Sequence, residues 1–275
     1  MKKLVPKLYG QYFNFLSLFS GKMAAEQAFE LFCTIRKGKV LEKQRDYLDG
    51  AKHERLKVCG HTLQIYRWNG NGETILLVHG WESNTFRWRN LIAYLTEADY
   101  NVLAFDAPAH GYSSGKKLHA PLYADCIQDI ITHYKPKHLI GHSLGGMALL
   151  YNESRNRNPN VEKIVTIGSP SEFHEILAHF QNLLQFNDRV LRALEAYVFQ
   201  RFGFQVEEFS SARFVENNRK KGLLLHDKHD RLAPFHASES VHTHWKGSSF
   251  IPTEGLGHSM HQPEINERII AFLDA

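Results

Sequence analysis

The stretch Gly141-His142-Ser143-Leu144-Gly145-Gly146 constrains this chain more than any other. His138-Leu139-Ile140 ahead of it reads as the end of a buried strand, and Met147-Ala148-Leu149-Leu150-Tyr151 behind it as the start of a helix. A serine between glycines at a strand-to-helix junction implies a turn so sharp that a Cβ at Gly141 or Gly145 would strike neighbouring backbone, while the serine itself takes up a strained conformation. Such a turn lifts the Ser143 hydroxyl clear of the chain. The free N–H groups and dipole of the following helix then favour negative charge at the same spot.

The rest of the chain supplies a frame for this turn. Thr74–Val78 and Asn101–Phe105 are continuous apolar runs of the kind that fill central parallel strands covered on both faces. Leu56–Trp68 alternates as two strands about Cys59-Gly60-His61, and further strands are expected at Val161–Ile167, Leu223–Leu225 and Phe250-Ile251. Helical periodicity falls between them at Phe86–Leu95, Leu122–Tyr134 and Ile265–Leu273. This alternation predicts an α/β fold with a mostly parallel, doubly wound sheet.

Residues 169–221 break the alternation and read as helices only. Ser169-Pro170-Ser171-Glu172 has the pattern of a capped helix start, with Phe173, Ile176, Leu177, Phe180 and Leu184 on one face. A second helix is expected over Asp188–Phe202, stopped by Gly203, and a third over Val206–Asn217. The segment is too long for an ordinary connection and predicts a helical cap inserted after the sixth strand. The expected organisation is therefore an N-terminal helical extension over 1–50 packed on the core, a core of 51–168 and 222–275, and a cap of 169–221. Within the extension, Ala24–Ile35 has helical spacing, and the aromatics from Tyr9 to Phe19 predict a docked amphipathic helix.

Serine is a weak nucleophile at neutral pH and needs a base within hydrogen-bond reach, itself oriented by a third group. Three segments at strand ends offer partners: His79-Gly80-Trp81, the run from His226 to Pro234, and Gly255-Leu256-Gly257-His258. His258 suits the base, because its flanking glycines allow a tight projecting loop. Asp227 and Asp230 compete for the acid, and His261 competes with His258. Asp106 and His110 are expected to fix a loop by hydrogen bonds.

With these motifs in this order, the chain over Leu56–Leu273 resembles the α/β-hydrolase superfamily, in its capped esterase and lipase-like branch. Asp106-Ala107-Pro108-Ala109-His110-Gly111-Tyr112-Ser113 also resembles that family's loop after the fourth strand. The resemblance implies an α/β-hydrolase fold and a serine hydrolase that cleaves a carboxylic ester of a small, hydrophobic substrate through an acyl-enzyme. Ser143 would be the nucleophile, His258 the base and Asp230, four residues before Pro234, the orienting acid. The backbone N–H groups of Trp81 and Leu144 would form the oxyanion hole. Trp81, His142 and Phe173 are the expected substrate contacts. Glu172 is a minor alternative for the acid. A thioesterase, lactonase, C–C hydrolase or cofactor-free haloperoxidase could share the same triad, and a small-molecule receptor could have kept the fold.

No cofactor and no metal are expected. Of the seventeen histidines, His174 and His179 are five apart, about 140° around a helix, and cannot share one ion as an i, i+4 pair does. The three cysteines, Cys33, Cys59 and Cys126, form no paired pattern, which fits a reducing, cytoplasmic setting. A net charge of +4 from scattered basic clusters gives no nucleic-acid footprint. The expected partner is a small-molecule substrate rather than nucleic acid or membrane, with a homodimer left open.

Overall fold

In a computed structural model, residues 4–275 are described; Met1–Lys3, part of the expected 1–50 extension, lie outside them. The chain divides into two units. One comprises residues 35–171 and 214–275, the other residues 4–34 and 172–213.

The first unit is built on an eight-stranded sheet. Its strands are β1 (Lys52–Val58), β2 (His61–Trp68), β3 (Thr74–Val78), β4 (Asn101–Phe105), β5 (His138–His142), β6 (Lys163–Ile167), β7 (Lys221–Asp227) and β8 (Ser248–Thr253), in the spatial order β1-β2-β4-β3-β5-β6-β7-β8. The β1–β2 hairpin turns through Cys59 and Gly60, both at positive φ, as a two-residue hairpin turn requires. It joins β4 antiparallel, and every pairing from β4 through β8 is parallel. The α/β-hydrolase expectation of a mostly parallel sheet is met.

The central strands are apolar throughout because both faces are covered. Ile75, Leu77, Val102, Ala104, Ile140 and Val165 pack in one core cluster with residues of the helices Arg89–Glu97 and Pro263–Asp274. Parallel pairing sends the loops after β3, β5, β6, β7 and β8 to one edge of the sheet, where such folds hold ligands. Two helices of this unit, Glu42–Asp49 and Phe235–His244, carried no clear signal in the sequence. Glu42–Asp49 buries only Leu48, so periodicity could not announce it.

The second unit is helical. It holds α1 (Leu4–Phe19), α2 (Gly21–Cys33), α3 (Phe173–Leu184) and α4 (Asp188–Phe202). Ala24, Ala25 and Ala28 of α2 are fully buried with Val190, Leu194 and Val198 of α4. Small residues on one helix and branched ones on the other let the axes approach closely. This interface corrects the expected boundary. Residues 4–34 share an apolar core with the inserted helices, and only residues 35–50 group with the sheet.

The helix over Asp188–Phe202 ends at Gly203 as expected, with Asn187 Oδ1 capping the Val190 N–H. The other two differ. Ser169 does not cap a helix: α3 begins at Phe173, after Glu172. The expected third helix shrinks to Ser211–Val215. One cause covers both changes. Glu172 and Ser210 pair as an isolated antiparallel bridge, and Ser210 Oγ donates to Glu172 Oε1 at 2.8 Å. Backbone committed to that bridge is extended and cannot be helical. No helix among the described residues is long and apolar enough to cross a membrane.

Candidate active site

Ser143 follows the last residue of β5 and precedes the helix Leu144–Asn156. Its φ of 53° lies in a region that costs a non-glycine residue of order 1–3 kcal/mol. The strain is held from both sides. The Ser143 N–H donates to the Ile167 carbonyl at 2.9 Å. At Gly145 a Cβ would lie 2.4 Å from the Val78 carbonyl oxygen, so only glycine lets the turn press against the end of β3. Gly80 packs closely on the other side, since a Cβ there would lie 2.9 Å from Ser143 Cβ. The Leu144 and Trp81 N–H groups donate to no acceptor among the described residues. Trp81 is 36% exposed, with its ring edge-on to His110.

The two candidate acids have different partners. Asp230 Oδ2 lies 2.7 Å from His258 Nδ1. Its other oxygen accepts from the Leu232 and Ala233 N–H groups at 2.8 and 3.1 Å. Burial pushes the Asp230 carboxyl up, but bonds from His226, His258 and these amides outweigh it and hold it well below the usual carboxylate range. Asp227 instead ties the end of β7 to the loop that precedes His258. It accepts from the His229 N–H, the Thr253 hydroxyl and the Leu256 N–H.

His258 is anchored through its backbone as well. His142 Nε2 donates to the His258 carbonyl at 2.9 Å, and the two rings meet edge-on with centroids 4.7 Å apart. The neighbour of Ser143 thus holds the backbone of His258 itself. Burial first, then Arg87 and His258, keep the His142 imidazole neutral far below its ordinary range. His142 is 5% exposed, so its ring supports the His258 loop from beneath. Phe173, the third expected substrate contact, lies in the helical unit and packs on Phe32 and Phe209. Glu172 lies in the same unit, bonded to Ser210.

The remaining candidates are framework. Asp106 is fully buried and accepts from the Tyr66 hydroxyl and the Thr85 and Tyr112 N–H groups. His110 donates from Nδ1 to the Pro108 carbonyl and accepts the Glu82 N–H at Nε2, so it is neutral. Burial, with His79 beside it, lowers its pKa to about 3. His261 does not cap the C-terminal helix: Gln262 occupies that position, and the His261 carbonyl accepts from Asn90.

Sequence reading passed over two residues. His226 is fully buried, accepts from or donates to the Ser238 hydroxyl at 2.6 Å, and sits with Nε2 3.4 Å from Asp230 Oδ2. Arg87 is 9% exposed, stacks on Trp88 and donates from Nη2 to the Ser259 carbonyl at 3.0 Å. Burial, then Arg89, lowers its pKa to about 9. His226 lies in the run to Pro234, but nothing in that run marks its ring as a partner of Asp230, and Arg87 meets the site only through a residue 172 positions away.

Comparison with known proteins agrees with this architecture. The family model described as the alpha/beta hydrolase fold matches residues 73–250, more than half of the chain. The chain belongs to the alpha/beta hydrolase fold family. It is similar to a pimeloyl-acyl-carrier-protein methyl ester esterase of Vibrio atlanticus, 33% identical over 107 residues, which cover 38% of this chain and 40% of that protein. A non-heme haloperoxidase of Rhodococcus erythropolis is 29% identical over 109 residues, 38% of this chain and 40% of that one. The chain thus spans about two fifths of the length of these curated relatives. Among solved structures, an esterase of Exiguobacterium antarcticum superposes with a TM-score of 0.65 at 18% identity, over 82% of this chain and 100% of that one.

Proposed function

We propose that this protein is a serine hydrolase that cleaves a carboxylic ester of a small, hydrophobic substrate through an acyl-enzyme. The observation that carries the proposal is the strained Ser143 turn tied, through His142, to a His258–Asp230 pair 2.7 Å apart. In this reading Ser143 Oγ attacks the ester carbonyl while His258 Nε2 takes its proton. Asp230 fixes the tautomer with Nδ1–H toward itself and stabilises the imidazolium. The Leu144 and Trp81 N–H groups receive the oxyanion, a contribution of about 3 kcal/mol per donor. His258 then protonates the departing alcohol, and water hydrolyses the acyl-serine by the same steps in reverse. The half-exposed indole of Trp81 supports an apolar acyl or alcohol group. Relatives named as esterases support ester chemistry.

The test is hydrolysis of p-nitrophenyl acyl esters from short to long chains, comparing the protein with Ser143→Ala. Multiple turnover lost in the variant supports the reading, and the preferred chain length reports the depth of the acyl site. Equal turnover by the variant refutes it. A second reading, a cofactor-free haloperoxidase on the same residues, is favoured by the name of the Rhodococcus relative. It requires Ser143-dependent halide oxidation by peroxide.

A further inference from the structure

Helix α1 is amphipathic in the reverse sense to a surface helix of a globular protein. Gly10, Phe13 and Ser17 are its buried residues, while Leu4, Leu8, Tyr12, Phe15 and Phe19 stand exposed within about 80° of one another around the axis. Phe15 is 60% and Phe19 75% exposed. Of the fifteen large apolar side chains exposed among the described residues, eight lie on this helix, so the patch is concentrated rather than scattered. The sequence predicts an apolar face docked on the protein; the structure docks Gly10, Phe13 and Ser17 and leaves most of the helix's large apolar side chains exposed.

The orientation is fixed by contacts inside the helical unit. A Cβ at Gly10 would lie 1.9 Å from the Leu184 carbonyl oxygen, so only a glycine-bearing face can seat there. Asn14 Oδ1 accepts the Asn187 N–H at 2.7 Å. Rotating α1 to bury Phe15 and Phe19 would break this bond and drive a side chain into backbone.

We propose that the outer face of α1 is a docking surface for an anionic lipid bilayer, with the helix lying in the plane of the interface. The charge pattern selects this occupant. No Asp or Glu occurs before Glu26, whereas Lys2, Lys3, Lys7 and Lys22 all do. Lys7 and Lys22 are exposed; Lys2 and Lys3 enter by charge alone. An apolar, aromatic-rich face on a segment that carries lysines and no acids is complementary to a negatively charged headgroup layer. A second copy of the chain would bring the same positive charge to this segment, with no Asp or Glu on it to offset that charge.

The experiment is co-sedimentation of the full chain with phosphatidylcholine vesicles, with and without phosphatidylserine, alongside a Phe15→Asp/Phe19→Asp double variant. Both residues are exposed, so circular dichroism and Tm should be unchanged in the variant. The proposal expects binding to the phosphatidylserine vesicles that weakens with added salt, and is about tenfold lower for pure phosphatidylcholine and for the double variant. Absence of sedimentation with either vesicle overturns it. So does equal binding to both vesicles, or a dimer in analytical ultracentrifugation that the double variant dissociates; in that last case a second copy covers the face.

Discussion

In the sheet unit, β5 and β6 bury every residue, and the end of β5 and the loops after β7 and β8 direct their polar groups at one another. In the helical unit, α1 turns Gly10, Phe13, Asn14 and Ser17 toward its neighbours and Phe15 and Phe19 away from them. Both arrangements are held by close backbone approach at a glycine, Gly145 in one and Gly10 in the other. The difference is what each approach produces. At Gly145 it fixes a strained serine beside a buried histidine network, and at Gly10 it fixes an apolar face outward. Tight packing specifies an orientation, and the polarity of what is left exposed then depends on the use of that surface.

The sharpest test of this contrast lies in the two acids of the sheet unit. Asp230→Asn should lower turnover about 10⁴-fold, because an amide opposite Nδ1 no longer selects the productive tautomer. Asp227→Asn should leave most of the rate and instead cost about 1–3 kcal/mol of stability through three weakened loop anchors. Equal kinetic effects of the two variants would show that the His258–Asp230 pair is not special. Next in size, Gly145→Ala should cost roughly 3 kcal/mol or more in urea unfolding, since the added methyl meets backbone rather than a movable side chain. An unchanged midpoint would mean that the Ser143 turn is not held by the end of β3.

Acid should act mainly on the sheet unit. Burial lowers the pKa of His79 to about 4, against an ordinary value near 6.5. Its Nε2 accepts the Ala107 N–H while Nδ1 donates to the Gly80 carbonyl. His110 and His142 are lowered likewise, both first by burial. The unfolded chain takes up these protons below about pH 6.5 and the folded chain does not. Stability is therefore fully present above that pH and falls as pH drops toward 4, by up to about 1.4 kcal/mol per unit for each group. A flat urea midpoint between pH 6.5 and 4.5 would contradict this.

Smaller effects separate the units further. Arg87→Leu removes the donor to the Ser259 carbonyl and should reduce turnover about 10-fold to 100-fold by loosening the His258 loop, with the profile of preferred chain lengths retained. The smallest change is expected from Asn14→Ala, about 1 kcal/mol, read as faster hydrogen exchange in α1 while the sheet unit is unaffected. If exchange quickened throughout the chain, the two units would unfold together.

Much of the fold was legible in the sequence. Apolar runs such as Thr74–Val78 announce central strands because burial on both faces leaves no polar positions, and Cys59-Gly60 announces a hairpin because its turn needs positive φ. The Ser143 turn was legible for the same local reason. The start of α3 was not, because the Glu172–Ser210 bridge joins residues 38 apart. Arg87 was invisible because its acceptor lies 172 residues away, and nothing near residue 87 marks it. The N-terminal aromatics predicted an amphipathic helix correctly, but periodicity defines two faces without saying which one is buried.

The sequence by itself determined the strands, the serine turn with its glycines, and the order in which serine, acids and histidine arrive at one edge of the sheet, since these follow from local sterics and from the period of apolar residues. Tertiary structure alone decided that Asp227 ties down the loop before His258, that His142 and Arg87 hold the backbone there, and that α1 presents its apolar face outward. Each of these depends on contacts between residues far apart in the chain. Their geometry is set by how whole elements pack, and a local sequence pattern carries no record of it.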